Sequence, residues 1–524
     1  MQMPDFTSYV PPGVYVQDTS QPVVTPTTVT TNTVTIIGPS IGYQTNTELV
    51  PVYWNSNTAL TKRGIFVTAV TGPPPIGAPV VKDVNGVTQV YGVDYTFVVD
   101  ASGTGGAANA VTYIKRLGPV GTPSGPSPTS GLADGASVYV TYNYADTTYY
   151  TPQEFTDPSQ IAATYGAAVS GTVPANPNAT QVVCPLTLAA QIAMANGASN
   201  ILALPTNPAD GTLKEQFVAA YAKIVANYTA QLIVPLFVDG TPDSTGTPGD
   251  AHTADAVLAL IQDVNTHCVT ASDDGFGRIA FVGFEPNYDS ATRNYDAVAR
   301  QIASKRTVLA YPNQMSFYNT RLAQTTVVAG YYLAAAMAGA LAGGDVARGL
   351  TSVSVTGFNS IPPALAQLQT KSFKDNLSKA GVSVVEQTRT GTLAVRHGLT
   401  TDMSSLTTRE ISLVRTGDVL FELVQTGMDA AGLIGEPIDV DMTTRVKGAL
   451  TGILERAVTD SVIRAYTDVA VRQQSLPSGD PSVIEAQFAY SPLVPLNYIT
   501  VTFAIDLSSG DITATDNTEE TTTP

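Results

Sequence analysis

The sequence predicts a multidomain chain of α/β and α+β units: an inserted β-sandwich, a central α/β domain on a mostly parallel sheet, and a C-terminal α+β domain, with extended N- and C-terminal arms. Three observations predict it. Between residues 62 and 150, short Val/Tyr/Phe/Thr runs recur between Gly/Pro/Asn/Asp turns, the rhythm of an all-β module. From about 151, runs of apolar residues alternate with helix-period segments, the rhythm of βα units. From 346 onward the alternation gives way to long helices and separate β-prone runs. A chain of 524 residues has room for about three or four domains at roughly 150 residues each.

Taken in order, residues 1–61 contain no Lys or Arg and read as an N-terminal arm and extended segment that packs on the core. Ser8 to Val16 runs SYVPPGVYV, a proline break before a short β-prone run. Val14, Tyr15 and Val16 lie in a segment too polar to form a core alone, and are expected to lie on another domain or on another subunit. Thr25 to Thr35 interleaves Thr with Val, which favours a half-buried extended segment. Residues 62–150 carry runs at Ile65–Val70, Val87–Tyr91, Tyr95–Asp100 and Ser137–Tyr144, with a hairpin signal at Asp83-Val84-Asn85-Gly86. This module reads as a small sandwich inserted into the chain.

In the central domain, 151–345, strands are expected at Ile201–Leu204, Ile233–Val238, Ile279–Phe284 and Val308–Tyr311. Helices are expected at Phe155–Tyr165, Leu186–Asn196, Leu213–Tyr228, Ala254–Cys268, Tyr295–Ala303 and Val327–Leu341. Leu322 to Gly344 is uncharged and long enough to span a membrane, but its Ala/Gly content predicts a close-packed buried helix and no membrane insertion. The C-terminal domain, 346–507, begins with a helix at Phe373–Ala380 closed by Gly381, strands at Val382–Gln387 and Thr392–His397, and a helix at Asp418–Met428. A long helix from Thr444 to about Tyr466 places Val446, Leu450, Ile453, Leu454, Ala457 and Ile463 on one face. Strands follow at Asp468–Arg472, Ile484–Tyr490 and Tyr498–Asp506. In the last run, Tyr498, Ile499, Val501 and Phe503 are β-branched or aromatic and are expected to form a strand that needs a pairing partner. Residues 508–524 form an acidic, Thr-rich tail.

Charged residues make up 13% of the chain, about half the usual ~25%. A folded chain so poor in charge has placed much of its surface against something else. Twenty-six basic against 43 acidic residues, net −17, lack the basic footprint of a nucleic-acid binder. Two cysteines, Cys184 and Cys268, make no disulfide framework and fit a reducing cytoplasm. The opening Met1-Gln2-Met3-Pro4-Asp5 lacks the basic and apolar regions of a signal peptide.

Catalytic chemistry finds no support. The three histidines, His252, His267 and His397, form no zinc-binding pattern. His267-Cys268 reads as a buried thiol beside a surface imidazole. No phosphate-loop signature occurs. Asp439 and Asp441, like Asp273-Asp274, are too few ligands for a calcium loop and read as solvated turn acids. No catalytic, cofactor-binding or metal residue is assigned, and no cofactor is expected. Around the long helix, Arg445, Lys447, Arg456, Arg464 and Arg472 outnumber Glu455, Asp460 and Asp468. That excess suits either a solvated face or docking onto an acidic partner.

The strings Tyr9-Val10-Pro11-Pro12-Gly13-Val14-Tyr15-Val16, Gly92-Val93-Asp94-Tyr95-Thr96, Val138-Tyr139-Val140-Thr141-Tyr142, Asn196-Gly197-Ala198, Arg306-Thr307-Val308-Leu309-Ala310-Tyr311-Pro312, Ala334-Ala335-Ala336-Met337-Ala338-Gly339, Val395-Arg396-His397-Gly398-Leu399-Thr400-Thr401-Asp402 and Pro495-Leu496-Asn497-Tyr498-Ile499 occur in an order that resembles the sheath proteins of contractile bacteriophage tails. The resemblance covers nearly the whole chain. It implies a structural, non-enzymatic subunit in the virion tail, assembled in the host cytoplasm. Such subunits stack as hexameric rings, a helical homo-oligomer around a tail tube protein, bounded by baseplate and tail terminator proteins. They contract to drive the tube through the host envelope for genome delivery, with terminal arms adding strands to neighbouring subunits. The C-terminal domain would face the tube, with Arg445, Lys447, Arg456 and Arg464 on the facing helix. The central domain lacks an Asp-His-Ser signature, so proteolysis does not carry over. A sheath of a phage-tail-like bacteriocin or contractile injection system fits the same residues. A different class, a β-rich surface adhesin or virion decoration protein, fits the composition but has no need of the α/β centre. An α/β hydrolase-like enzyme is a third class, for which no catalytic residue is assigned.

Overall fold

Strands that are apolar on both faces must be covered on both faces, and the chain meets that demand with one eight-stranded sheet. The computed structural model describes residues 33–40, 44–53, 56–65, 80–90, 94–99, 110–116, 132–144, 147–171, 181–207, 210–227, 229–238, 254–285, 295–475, 479–497 and 499. The sheet runs Leu393–Val395, Val382–Gln387, Thr307–Tyr311, Ile279–Val282, Leu232–Pro235, Thr33–Gly38, Asn200–Pro205, Gln153–Phe155. The six inner strands are parallel; each edge strand is antiparallel. Alternate side chains enter different cores. Val34, Ile36, Ile201 and Ala203 join the core on one face. Ile37, Leu202 and Leu204 join the other, against helices Leu213–Ile224, Ala254–Asp273 and Tyr295–Ile302.

Helix Gly330–Ala342 is buried along nearly its whole length and crosses helix Pro185–Ala195 at backbone distance. A Cβ on Gly339 would lie 2.2 Å from the Ala193 carbonyl oxygen. Its small residues thus serve close packing, and among the described residues no helix is long and apolar enough to cross a membrane.

Four expectations change. Thr33–Gly38 is not part of an extended segment laid on the core; it is an inner strand, registered between Asn200–Pro205 and Leu232–Pro235, and is completely buried. The large sheet does not end at 345, because Val382–Gln387 and Leu393–Val395 extend it. Val327 lies in a strand, not a helix: Gln314–Asn319 and Gln324–Ala329 form an antiparallel hairpin before Gly330. The β module begins at 44, because Gln44–Val52 pairs along the whole of Ala136–Tyr144.

That module is built from Gln44–Val52, Thr58–Ile65, Val80–Asp83, Tyr95–Val99, Ala110–Arg116 and Ala136–Tyr144, all antiparallel in one sheet. Among the described residues these strands belong to one sheet, with a core of Val50, Val52, Val81, Ile114, Val138 and Val140. The hairpin signal is a turn: Asp83 Oδ1 accepts from the amides of Asn85 and Val87 at 2.9 and 2.8 Å, and Gly86 takes φ +84°.

Candidate assembly surface

The C-terminal region stacks two helices beneath an open hairpin. Helix Ile411–Ala430 presents Val419, Leu420, Leu423 and Val424 to Leu450, Leu454 and Ala457 of helix Met442–Thr459. The i, i+3, i+4 spacing of those residues makes the shared face. The second helix stops seven residues short of the expected Tyr466, with Ser461 in the left-handed region at φ +57°. Ile463 continues the apolar face as the first residue of a strand rather than as a further helical turn.

The hairpin pairs Ile463–Gln473 with Ile484–Pro492. Of its side chains only Ile463 and Phe488 are buried, both into the helical core below. A two-stranded ribbon is marginal on its own, and each of its outer edges presents a row of main-chain donors and acceptors. Among the described residues no strand pairs with either edge. The edges differ. Ile463–Gln473 is interrupted by register shifts between Ile463 and Ala465 and between Thr467 and Ala470, and Asp468 takes φ +58°. Across the ribbon, Arg472 Nε donates to Glu485 Oε2 and Gln474 Nε2 to Glu485 Oε1, both at 2.6 Å. These donors hold the Glu485 carboxyl below its ordinary range.

The four basic residues expected on one tube-facing helix separate. Arg445, Lys447 and Arg456 lie on Met442–Thr459, but Arg464 lies on the strand after it. Arg445 is paired with Glu436 at 2.5 Å and Asp439 at 3.1 Å; the Glu436 contact leads in raising its pKa. Arg456 is paired with Asp460 at 3.3 Å. The local excess of positive charge is thus partly neutralised by acids just outside the helix. Lys447 and Arg464 are exposed. Asp439 also accepts the Asp441 amide.

Past the hairpin, residues 493–497 belong to no helix or strand. Val494, Leu496 and Ile499 are 56%, 76% and 77% exposed, an apolar row on a segment outside any strand. Tyr498, Val501 and Phe503 lie outside the described residues, as do Val14, Tyr15 and Val16 and the tail 508–524. The sequence reading missed Thr351 and Glu410, which hold this segment through Asn497 from 146 and 87 positions away. Local pattern carries no signal for contacts at that separation.

The titratable groups elsewhere serve packing. Cys268 is fully buried, and burial pushes its thiol up to about 12. His267 is half-buried rather than a surface imidazole. It stacks on Tyr221 and meets Arg278 at 2.7 Å, so burial and that guanidinium hold it down to about 4. Arg278 itself donates to the carbonyls of Ile224, Val225 and Asn227, closing the end of helix Leu213–Ile224. Among the described residues no group of acids, histidines and cysteines could hold a metal ion.

No protein-family model matches the chain. A tail sheath protein of Mycobacterium phage Bxz1 is 31% identical over 465 residues, covering 88% of this chain and 71% of that protein. A tail sheath protein of Bacillus phage SP01 is 26% identical over 205 residues, 39% of this chain and 34% of that protein. Among solved structures, the helical sheath of the anti-feeding prophage in its contracted state matches with a TM-score of 0.47 at 15% identity, over 69% of this chain and 90% of that one. A sheath tail protein of Desulfitobacterium hafniense matches with a TM-score of 0.40 at 13% identity, over 92% and 97%.

Proposed function

The chain belongs to the tail sheath protein family, as a structural protein and not an enzyme, and from that premise we propose that it polymerises as stacked hexameric rings around a tail tube. Contraction of this array drives the tube through the host envelope and delivers the genome. The observation that carries the reading is the hairpin Ile463–Gln473/Ile484–Pro492, with two outer edges that no strand among the described residues pairs with. Val14, Tyr15 and Val16 of one neighbour, and Tyr498, Ile499, Val501 and Phe503 of another, are the strands that fill them. Main-chain hydrogen bonds supply affinity and side-chain pockets supply register. Repeated head-to-tail contacts that do not close give a helical array. A chain with 13% charged residues suits a subunit surrounded by its own copies. The β module lies outermost and the C-terminal domain faces the tube. The assembled polymer meets the tube protein, the baseplate and the tail terminator in the virion tail, after assembly in the host cytoplasm.

The test is electron microscopy of the purified chain. Wild-type protein forms hollow helical tubes, whereas protein lacking residues 1–20 stays folded and unpolymerised. Ordered tubes from the truncated protein overturn the arm as the link. Reversal of Arg456 and Arg464 to Glu weakens assembly on tail tubes and spares tube-free polymerisation. Loss of both together removes the tube-docking role.

A further inference from the structure

Glu410 is 1% exposed and occupies the N-cap position of helix Ile411–Ala430, yet its side chain makes no capping hydrogen bond. The carboxylate turns elsewhere. Its Oε1 takes His397 Nε2 at 2.7 Å and Asn497 Nδ2 at 3.0 Å. The other end of the same amide, Asn497 Oδ1, accepts from Thr351 Oγ1 at 2.8 Å. Backbone pairing of Leu399 with Glu410 brings His397 alongside. A helix N-terminus favours an anion, so the charge is held in place by the dipole below it and by donors above it.

The segment so held is inverted relative to an ordinary surface strand. Asn497 faces inward, and Pro495 lies over Gly349, where an added Cβ would stand 3.2 Å from the proline Cβ. Val494 and Leu496, the alternate residues, face out. A segment that turns its polar side chain in and its apolar side chains out is bound to its own subunit by hydrogen bonds and leaves its apolar face for something else to cover. The sequence continues from there to Pro524 with a further β-prone, apolar run.

We infer that Glu410 is a positioning residue. Through Asn497 it fixes the point and direction at which the C-terminal segment leaves the subunit, and so sets Val494, Leu496 and Ile499 against a second copy of this chain. The inference rests on the proposed role of the C-terminal strand as an inter-subunit link. Without the clamp the segment would sample many directions, and each subunit would lose conformational entropy again on joining the array.

The test compares full-length wild type, Asn497→Asp, and the double variant Glu410→Gln/Asn497→Asp, by amide hydrogen exchange in the unpolymerised chain and by electron microscopy after polymerisation. Asn497→Asp sets one carboxylate against another. Exchange at residues 493–497 should rise at least about tenfold while exchange in helix Ile411–Ala430 stays unchanged, and ordered tubes should become rare. The double variant restores a donor and an acceptor with roles exchanged, and should recover both slow exchange and tubes. A purely structural role for Glu410 predicts no such recovery, because either change then only adds damage. Unchanged exchange in Asn497→Asp, or no recovery in the double variant, overturns the clamp. Faster exchange with rescue but undiminished tubes leaves the clamp standing and overturns the C-terminal segment as a link.

Discussion

Arg306 donates through one nitrogen to both carboxylate oxygens of Asp418, at 2.6 and 2.5 Å, and so ties the start of strand Thr307–Tyr311 to helix Ile411–Ala430. Both side chains are largely buried. Gly277 makes the room, since a Cβ there would stand 2.6 Å from Asp418 Cβ. Removing one partner of a buried pair costs about 3–5 kcal/mol. Asp418→Ala should therefore lower unfolding stability by about 3 kcal/mol in urea titrations, and Gly277→Ala should destabilise in the same direction. A loss under about 1 kcal/mol for Asp418→Ala would show that the pair behaves as a surface contact.

One turn further along, Glu422 accepts from Gln231 at 3.1 Å, and burial, together with the negative charge of Asp418, pushes its carboxyl up to about 7. Arg306, the nearby cation, is already taken by Asp418. A folded-state pKa above the unfolded value means that the folded chain holds the proton more tightly. The resulting stability is complete below about 4.5, declines as pH rises to about 7, and is gone above it. Thermal melts from pH 5 to 8 should show that decline in wild type and a flatter profile in Glu422→Gln. Equal slopes would assign the pH dependence to other groups.

Two glycines in helices should respond oppositely to alanine. Gly339 packs against Ala193, and a Cβ would meet its carbonyl oxygen at 2.2 Å. Neither backbone can give way easily, so Gly339→Ala should cost about 1–3 kcal/mol or more. Gly452, on helix Met442–Thr459, has nothing within 4 Å of such a Cβ. Gly452→Ala should therefore stabilise the unpolymerised subunit by about 1 kcal/mol. Denaturation of the two variants side by side distinguishes the cases.

The pattern of these residues explains what the sequence could and could not display. Ile201–Leu204 and Val308–Tyr311 were legible as inner strands because they are short runs with no polar alternation and flanking helical periods. Thr33–Gly38 was not, because threonine normally marks a half-exposed face; here Thr33 and Thr35 are fully buried between helix layers. The end of helix Met442–Thr459 was hidden by Ile463, whose position happens to continue the helical face after the chain has become a strand. The open hairpin could be read as two β-prone runs. The Glu410–Asn497 hydrogen bond could not, since it joins residues brought together only by the tertiary fold.

The β module should be removable as a unit, and the structure gives the place to cut. Tyr149 donates to Ser40 Oγ at 2.8 Å across 109 positions, so the chain leaves the large sheet after Gly38 and returns beside the same point. Its strands run from Gln44 to Tyr144 and, among the described residues, pair only among themselves, around their own core of Val50, Val81, Ile114 and Val138. A domain with its own core and adjacent termini tolerates excision. Replacing residues 42–146 by a short Gly/Ser linker should leave the thermal melt of the large sheet nearly unchanged and preserve tubes under the electron microscope, each with a smaller outer diameter. Cutting instead at 62 would leave Gln44–Val52 without Ala136–Tyr144 and expose Val50 and Val52, so that variant should aggregate. A folded excision variant that forms no tubes would place lattice contacts on the module; tubes of unchanged diameter would show that it does not lie outermost.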